Sequence, residues 1–228
     1  MSHHNLIEKF IYSCSHDLRA PVSSIQGLVR IAEYYPHHDE THKCLEMIEA
    51  CTHTMDKLIR GMEEYLANDY SSLQYSEVDA HELIQNIEEN FRNQLDSSNI
   101  VLITEVKPFT RWKTDKQSIE KILKYLISNS ISFHDPDKKE RKITIRIEAA
   151  GSGSTLDIMD NGVGIREDQK NNIFDIFYRG SEKSIGSGMG LFLTKSIVDR
   201  LGGAISCKSA LRVGTSISIS LPPSPHIG

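Results

Sequence analysis

His16 and Asp17 place an imidazole and a carboxylate side by side in the segment Ser15-His16-Asp17-Leu18-Arg19-Ala20-Pro21. A carboxylate can polarise an imidazole nitrogen or accept its proton, which leaves the other ring nitrogen nucleophilic. Pro21 cannot donate the helical hydrogen bond to the carbonyl of Asp17, and a proline inside a helix costs about 3 kcal/mol. A lone histidine would be interpreted as a solvated surface residue, but these neighbours predict a reaction centre on a locally loosened helix.

Two glycine-rich segments farther along the chain are suited to a nucleotide: Asp160-Asn161-Gly162-Val163-Gly164-Ile165 and Gly186-Ser187-Gly188-Met189-Gly190-Leu191. Glycine allows tight turns and a close approach of the backbone to a ligand, and N–H groups at a helix N-terminus suit phosphates. The second segment is not a Walker A loop, because no Gly-Lys-Ser/Thr follows. Its late position after an irregular loop also excludes the Rossmann arrangement. Taken alone, the first segment is equally typical of a turn after a strand.

Two more segments carry groups that suit a triphosphate and its metal ion. Arg179 ends the run Ile173-Phe174-Asp175-Ile176-Phe177-Tyr178-Arg179, and the fixed fork of an arginine suits phosphates. Phe174 and Phe177, taken singly, are typical of core residues that anchor the polar stretch 180–186. Asn129 lies in the run Tyr125-Leu126-Ile127-Ser128-Asn129-Ser130-Ile131-Ser132-Phe133, and its amide oxygen is a hard ligand suited to Mg²⁺.

Two amphipathic helices must position the His16 pair. Apolar residues recur every three or four positions at Leu6, Phe10, Cys14, Leu18, Val22, Ile25, Val29 and Ala32, and again at Leu45, Ile48, Cys51, Met55, Leu58, Met62 and Leu66. The first helix should end at residues 34–36, because Pro36 disfavours helix in the residue before it. The polar residues 37–40 should form a turn, which predicts a helical hairpin with His16 facing away from the apolar stripe. Pairing two hairpins in a four-helix bundle is the simple way to bury that stripe.

Helices and strands alternate after a predicted break at residues 68–72. Residues 78–95, 119–131 and 191–201 have helical periodicity, whereas residues 100–106, 143–147 and 156–158 are typical of strands. Residues 205–221 indicate a terminal hairpin around Gly214. Strands and helices on one chain, with repeated antiparallel signals, predict an α/β sandwich.

In their order and spacing, these segments resemble the motifs of sensor histidine kinases of two-component systems. The His16 segment is similar to the family's H-box, and residues 125–133, 160–165, 173–179 and 186–191 are similar to its N, G1, F and G2 boxes. The resemblance implies an α-helical hairpin that forms a dimeric four-helix bundle, followed by a GHKL-type α/β sandwich that binds ATP. It implies a dimerisation and phospho-acceptor hairpin at 1–68, a linker at 69–76, a catalytic domain at 77–222 and a tail at 223–228.

The resemblance also implies a role for each matching residue. His16 would receive the phosphoryl group, Asp17 would act as the general base, and Asp160 would read the adenine amino group. Asn129 would bind both ATP and Mg²⁺. The other implied ATP-binding residues are Phe133, Gly162, Gly164, Arg179, Gly186, Gly188, Gly190 and Leu191. The implied activity is ATP-dependent autophosphorylation of His16, followed by phosphoryl transfer to an aspartate in a response regulator receiver domain.

The chain departs from the family pattern at two positions of the N-box. Tyr125 replaces an asparagine and Ser132 replaces a lysine, and both lost groups normally face the phosphates. Lys138 and Lys183 are the candidates to compensate for them. These departures motivate a rival hypothesis, a dimeric scaffold that binds a regulator or another kinase without phosphorylating itself. A third interpretation is an ATPase resembling heat-shock chaperones, mismatch-repair proteins or DNA gyrase. Those proteins share the nucleotide-binding fold but lack the hairpin with its H-box, so His16 in its context argues against this interpretation.

One position of the H-box bears on the reverse reaction. Many kinases of this type also dephosphorylate their regulator, and a Thr or Asn four residues after the histidine then holds the attacking water. Here that residue is Ala20, whose methyl group cannot hold water by a hydrogen bond. The expected protein is therefore biased toward the kinase reaction, with Ser23 or Ser24 as the alternative holder of the water.

Composition excludes several classes of function. The formal net charge is −5, which argues against a general grip on nucleic acid. No apolar run approaches the roughly 20 residues that span a bilayer, and no signal peptide is visible. Cys14, Cys44, Cys51 and Cys207 form no C-x-x-C pair, which favours buried thiols in a reducing, cytoplasmic compartment.

The early position of the H-box predicts that an upstream sensor module is missing from this chain. His38 and His42 have metal-ligand spacing but no further partner, so exposed loop histidines are expected.

Overall fold

The structure is a computed structural model that describes residues 3–34, 38–70, 72–107, 112–150, 153–180 and 188–224, with the side chains of residues 3–14, 16, 38 and 68–70 outside the description. The chain divides into two compact units. The first joins Met1–Asp69 to Asp175–Met189, and the second joins Tyr70–Phe174 to Gly190–Gly228. The domain boundaries that the family resemblance implies stay a prediction.

Two long helices make up most of the first unit. Helix α1 spans His3–Tyr34 and helix α2 spans His38–Tyr70. The end of α1 at Tyr34 is where Pro36 predicts it, and the helix continues through Pro21, so the lost hydrogen bond does not terminate it. The expected turn at residues 37–40 is too long, because α2 already begins at His38. Acidic residues in its first turn, Asp39 and Glu40, suit the positive end of the helix dipole.

Helix α2 contradicts two further expectations from the sequence. The predicted break at residues 68–72 begins too early, because α2 runs to Tyr70. Helix ends vary by one or two residues where no proline or glycine terminates the helix. Backbone hydrogen bonds alone can therefore extend α2 through residues 68–70. His38 and His42 lie within α2 rather than in a loop. Among the described residues, no group of three or more His, Cys, Asp or Glu side chains is placed to hold a metal ion.

Much apolar surface of the two helices remains exposed. Leu28, Cys44, Leu58 and Tyr65 are buried. Among the described side chains of these helices, eight large hydrophobic ones are at least 38% exposed: Val22, Val29, Ile31, Tyr34, Leu45, Met47, Ile59 and Leu66. Four of these eight belong to the predicted apolar stripes. A single hairpin therefore leaves part of its stripe uncovered, as the sequence pattern predicts.

Within the described ranges, the second unit contains three α-helices, α3 (Ala80–Ser97), α4 (Lys116–Ser132) and α5 (Gly190–Arg200). Asp79 caps α3 by accepting hydrogen bonds from the N–H groups of residues 81 and 82, and Asp115 caps α4 by accepting from Ser118 N at 2.8 Å. Such caps satisfy backbone donors that have no partner within the helix. The three helices lie where the 3.6-residue periodicity predicts them, with ends shifted by one to three residues.

In the part of the chain that the structure describes, seven strands accompany these helices: β1 (Tyr75–Glu77), β2 (Ile100–Val106), β3 (Lys113–Asp115), β4 (Arg141–Ala150), β5 (Gly153–Asp160), β6 (Ala204–Ala210) and β7 (Gly214–Leu221). The large sheet has the order β2-β4-β5-β7-β6, in which only the β2–β4 pair is parallel. Strands β1 and β3 form a separate antiparallel pair. Each has three residues, too few to show an alternating pattern, so the sequence does not predict them.

One face of the large sheet packs against the helices. Ile143, Ile145 and Ile147 of β4 are 0–1% exposed, and they belong to one core with apolar residues of α3, α4 and α5. Thr144 and Arg146 alternate with them on the other face, as the two-residue period of a strand requires. The α/β sandwich expected from the sequence is confirmed. Trp112 is also buried in it, with its Nε1 donating to Ser154 Oγ at 3.2 Å.

Candidate functional site

Asp160 ends strand β5, and its carboxylate is held by three donors from three parts of the fold. Oδ1 accepts from the backbone N–H of Gly162 at 2.8 Å and of Thr215 at 3.2 Å. Oδ2 accepts from the hydroxyl of Ser130 at 3.1 Å. Strand β7 supplies Thr215 and helix α4 supplies Ser130, so the sheet and a helix together fix the orientation of the carboxylate.

Burial sets the charge balance of this carboxylate. Desolvation raises the pKa of Asp160, although the hydrogen bonds from Gly162, Ser130 and Thr215 and the positive charge of Lys138 oppose the shift. The ionised carboxylate is therefore stabilised only in part, and it remains a strong hydrogen-bond acceptor. A half-buried acceptor of this kind suits an N–H donor of a ligand, such as the exocyclic amine of a base.

Glycine is required at two positions of the loop that follows Asp160. A Cβ on Gly162 would lie 2.3 Å from the carbonyl oxygen of Phe133. Gly164 has a φ of 72°, and a Cβ there would lie 2.0 Å from the carbonyl oxygen of Ala210. The loop is thus held between the end of α4 and the turn between β6 and β7, where side chains do not fit.

Backbone hydrogen bonds fix the same loop. The N–H of Val163 donates to the carbonyl of Phe133 at 3.0 Å, and the carbonyl of Val163 accepts from Arg212 N at 2.8 Å. Ile165 N donates to Ser209 Oγ at 2.8 Å. The segment 160–165, which resembles the G1 box, is therefore hydrogen-bonded to the end of α4, to β6 and to the turn between β6 and β7.

Asn129 stands beside the beginning of helix α5. A Cβ on Gly190, the first residue of α5, would lie 3.4 Å from Asn129 Nδ2 and 3.5 Å from its Oδ1. The N-terminus of a helix attracts anions through its unpaired N–H groups and its dipole, and an amide oxygen is a donor that Mg²⁺ accepts. The residues present here fit a triphosphate with its Mg²⁺ ion.

Two other predicted ATP-binding residues belong to the same unit. Phe133 follows α4 directly and is 42% exposed, so its ring is accessible. Leu191 is half-buried in the first turn of α5 and packs against the core. The second unit thus contains Asn129, Phe133, Asp160, Gly162, Gly164, Gly190 and Leu191.

Arg179 and Gly188 belong to the first unit, whereas Gly186 and Lys183 lie outside the described residues. Arg179 is exposed. Gly188 has a φ of 71°, and a Cβ on it would lie 2.6 Å from the carbonyl carbon of Phe177. Phe177 is buried and itself has a positive φ of 59°. This close approach requires glycine at position 188, but it gives no evidence about a nucleotide.

The replaced N-box residues lie in different surroundings. Tyr125 is half-buried and packs against the hydrophobic core, whereas Ser132 at the end of α4 is exposed. Lys138 donates to the carbonyls of Asn161 and Val213 at 2.5 and 3.0 Å. Two of the three ammonium donors of Lys138 thereby link the loop after β5 to the turn between β6 and β7.

Asp17 and its neighbours lie within α1. Asp17 and Leu18 are half-buried, whereas Ser15, Arg19 and Ala20 are exposed. The side chain of His16 lies outside the described residues. The exposure of Arg19 and Ala20 agrees with the predicted outward face of this helix.

Ser130 and Thr215 are contacts of the site that the sequence does not predict. Their bonds to Asp160 join residues 30 and 55 positions apart. The position of Ser130 directly after Asn129 is a weak signal for a role near the nucleotide. For Thr215, whose contribution is a backbone N–H, the sequence contains no signal.

The comparisons with known proteins agree with this geometry. Residues 6–68 match the His Kinase A (phospho-acceptor) domain, and residues 114–225 match the histidine kinase-, DNA gyrase B-, and HSP90-like ATPase family. The two matches together cover well over half of the chain. The chain belongs to the sensor histidine kinases. The GHKL-type fold expected for its ATP-binding part is confirmed.

Individual sensor histidine kinases show the extent of the similarity. The chain is 27% identical over 95% of its length to the methanogenesis regulatory histidine kinase FilI of Methanothrix harundinacea and 25% identical over 94% to the signal transduction histidine-protein kinase ArlS of Staphylococcus aureus. It spans 24% of FilI and 49% of ArlS, so it corresponds to half or less of these proteins.

No helix in the described ranges is long and apolar enough to cross a membrane.

A solved structure extends the fold similarity to almost the whole chain. The histidine kinase ThkA, crystallised in complex with the response regulator protein TrrA, superposes with a TM-score of 0.75. It covers 98% of this chain and 64% of its own, at 22% sequence identity.

Proposed function

We propose that this chain is the kinase core of a two-component sensor, which transfers the γ-phosphoryl group of ATP to His16 and then to an aspartate of a response regulator. The observation that carries the proposal is the half-buried Asp160 carboxylate, which accepts three hydrogen bonds and lies in the same unit as Asn129 and the beginning of α5. The His16-Asp17 pair on α1 supplies an acceptor for the phosphoryl group.

The nucleotide site binds each part of ATP by a different kind of contact. Asp160 accepts a hydrogen bond from the adenine amino group, and the ring of Phe133 offers an apolar surface to the base. The N-terminus of α5 at Gly190 attracts the phosphates. The phosphate-binding role of Arg179 stays a prediction from the family resemblance. Asn129 would hold Mg²⁺, which when bound neutralises the negative charge of the triphosphate.

The first chemical step needs an activated imidazole at His16. One ring nitrogen attacks the γ-phosphorus, and the bond from that phosphorus to the β–γ bridging oxygen breaks, so ADP leaves with the electron pair. Asp17 takes the proton from the other ring nitrogen. In the second step, a carboxylate oxygen of the regulator attacks the phosphorus, the P–N bond to His16 breaks with its electron pair left on the ring nitrogen, and the imidazole takes back a proton, which restores neutral His16.

The assembly that we propose is a homodimer. The exposed apolar side chains of α1 and α2, among them Val22, Val29 and Leu45, would be covered when two hairpins pair into a four-helix bundle. Sedimentation equilibrium at micromolar concentration should give twice the chain mass. A monomer under these conditions would contradict the bundle.

The remaining partners follow from the family. The complex of ThkA with TrrA supports a response regulator receiver domain as the partner of this chain. The greater length of FilI and ArlS supports our proposal that this chain is part of a longer protein with an upstream sensor module. We propose that the kinase core itself is cytoplasmic. The proposed domains remain a hairpin at 1–68, a linker at 69–76 and a catalytic domain at 77–222.

Incubation with γ-labelled ATP and Mg²⁺ tests the enzymatic function. The wild-type chain should acquire acid-labile label, and His16→Gln should acquire none while still binding ATP. His53→Gln, which replaces an exposed histidine of α2, is the matched control and should be labelled like wild type. Absence of label in all three proteins, with ATP bound, would favour the non-phosphorylating scaffold instead.

A further inference from the structure

The hydroxyl of Ser130 is a buried polar group without a role in the reaction as proposed so far. Ser130 is 6% exposed, and its Oγ lies 3.1 Å from Asp160 Oδ2. Serine in a helix often turns its hydroxyl back to the carbonyl four residues earlier. Here the hydroxyl instead crosses from α4 to the end of β5 and donates to a carboxylate.

The hydrogen bonds to Asp160 leave little acceptor capacity for a ligand. An ionised carboxylate has about four acceptor positions, two on each oxygen. The N–H groups of Gly162 and Thr215 occupy both positions of Oδ1, and Ser130 occupies one position of Oδ2. Among the hydrogen bonds of the described residues, one acceptor position on Oδ2 remains.

We propose that Ser130 is a positioning residue for base selection: its hydroxyl fixes the Asp160 carboxylate so that the one remaining Oδ2 position meets an N–H of a purine 6-amino group. The inference rests on the proposed function, because it requires that ATP binds at Asp160. Oδ1 is held by backbone N–H groups, and a substitution cannot remove these donors without moving the backbone. Oδ2 is held by a single side chain, that of Ser130. Removing the Ser130 hydroxyl therefore removes the contact that fixes the direction of the remaining Oδ2 acceptor position.

This arrangement separates recognition of the 6-amino group from binding of the rest of the nucleotide. The Asn129 amide and the N-terminus of α5 would hold the metal ion and the phosphates, and neither contacts Asp160 in the hydrogen bonds described above. Loss of the Ser130 hydroxyl should therefore weaken only nucleotides that donate at position 6. A general loosening of the domain would weaken all nucleotides alike.

Isothermal titration of two nucleotides tests this inference on the full chain. One is a non-hydrolysable ATP analogue, and the other is the same triphosphate with unsubstituted purine, which has no 6-amino group. Ser130→Ala should bind the ATP analogue about 5- to 30-fold more weakly than wild type, less than the full effect of one hydrogen bond to a charged group, because the backbone donors still hold Oδ1. The affinity for the unsubstituted purine should change less than about twofold.

Two further variants control the measurement. Ser118→Ala removes another buried hydroxyl from α4 and should leave the preference between the two nucleotides unchanged. Ser130→Cys keeps the volume and offers only a weak S–H donor, so its preference should fall between those of wild type and Ser130→Ala. It provides the same test if Ser130→Ala does not fold.

The outcomes distinguish the two levels of the inference. Equal weakening of both nucleotides in the Ser130 variants, or no weakening of either, overturns the role of Ser130. A lower melting temperature with an unchanged nucleotide preference also overturns it, because Ser130 would then be only structural. A wild-type chain that binds neither nucleotide contradicts the proposed function itself.

Discussion

Replacing Asp160 by asparagine should reverse the base preference of the nucleotide site. Asparagine keeps one oxygen and substitutes an NH₂ donor for the other. The retained oxygen can still accept from Gly162 N and Thr215 N, as Oδ1 does now. The NH₂ group then takes the place of Oδ2, where Ser130 Oγ can accept from it. The base would meet a donor where the wild-type site presents an acceptor.

The size of the effect follows from the lost hydrogen bond. A hydrogen bond to a charged group contributes about 1.5–3 kcal/mol, which corresponds to a factor of roughly 10–150 in affinity. Asp160→Asn should therefore bind ATP at least about tenfold more weakly than wild type. It should bind ITP more tightly than wild type does, because the 6-oxo group of ITP accepts a hydrogen bond. Isothermal titration with both nucleotides at neutral pH measures the two changes.

A matched control distinguishes base recognition from collapse of the site. Asp157→Asn makes the same chemical change on β5, three residues before Asp160, and should leave both affinities near wild type. Equal loss of ATP and ITP in Asp160→Asn, with Asp157→Asn unaffected, would refute the base-reading role of Asp160.

The same substitution should alter the pH dependence of stability. Burial raises the pKa of Asp160 above its ordinary value of 3.8, so the folded protein holds this proton more tightly than the unfolded chain. The contribution of Asp160 to stability is therefore fully present below pH 3.8 and is lost as pH rises through the raised pKa. Asparagine does not titrate, so the stability of Asp160→Asn relative to wild type should increase over that interval. Urea unfolding across a pH series measures it, and a decrease would contradict the assignment.

Three other substitutions have defined expected outcomes. Gly162→Ala places a Cβ 2.3 Å from a backbone carbonyl oxygen, so it should lower the free energy of unfolding by about 1–3 kcal/mol and weaken ATP binding. Gly27→Ala is the control, because nothing lies within 4 Å of its Cβ. Equal effects of the two substitutions would contradict the steric argument. Ser132→Lys should tighten ATP binding or accelerate labelling, and unchanged kinetics would indicate that another cation already fills the role. Ala20→Thr should accelerate loss of phosphate from a phosphorylated regulator incubated without ATP, whereas fast loss in wild type would contradict the kinase bias.

The sequence predicts the elements with long periodic patterns. Helices α3, α4 and α5 and strands β2, β4 and β5 follow from the spacing of apolar residues, because each buries one face in a shared core. Strands β1 and β3 have no such pattern. They are held by contacts between distant residues, such as the hydrogen bond from Val78 N to the carbonyl of Trp112 at 2.8 Å.

The candidate site is predictable to the extent that its chemistry depends on residue type. Asp160, Asn129 and the glycines are recognisable because an acceptor, a hard ligand and a close backbone approach each require particular residues. The tertiary bonds of Asp160 to Ser130 and Thr215 are not recognisable, because serine and threonine are common and a backbone N–H belongs to almost every residue. The packing of Tyr125 against the core likewise depends on the folded arrangement of α4.

Mapping the phosphoryl group after incubation with ATP and Mg²⁺ tests most directly whether His16 receives it. The chain should be digested at alkaline pH, where phosphohistidine persists, and sequenced by tandem mass spectrometry. The phosphoryl group should lie on His16, and it should form roughly 10²- to 10⁴-fold more slowly in Asp17→Asn, the usual contribution of a general base. A phosphoryl group on another residue, or one that persists in His16→Gln, would contradict the assignment of His16 as the acceptor.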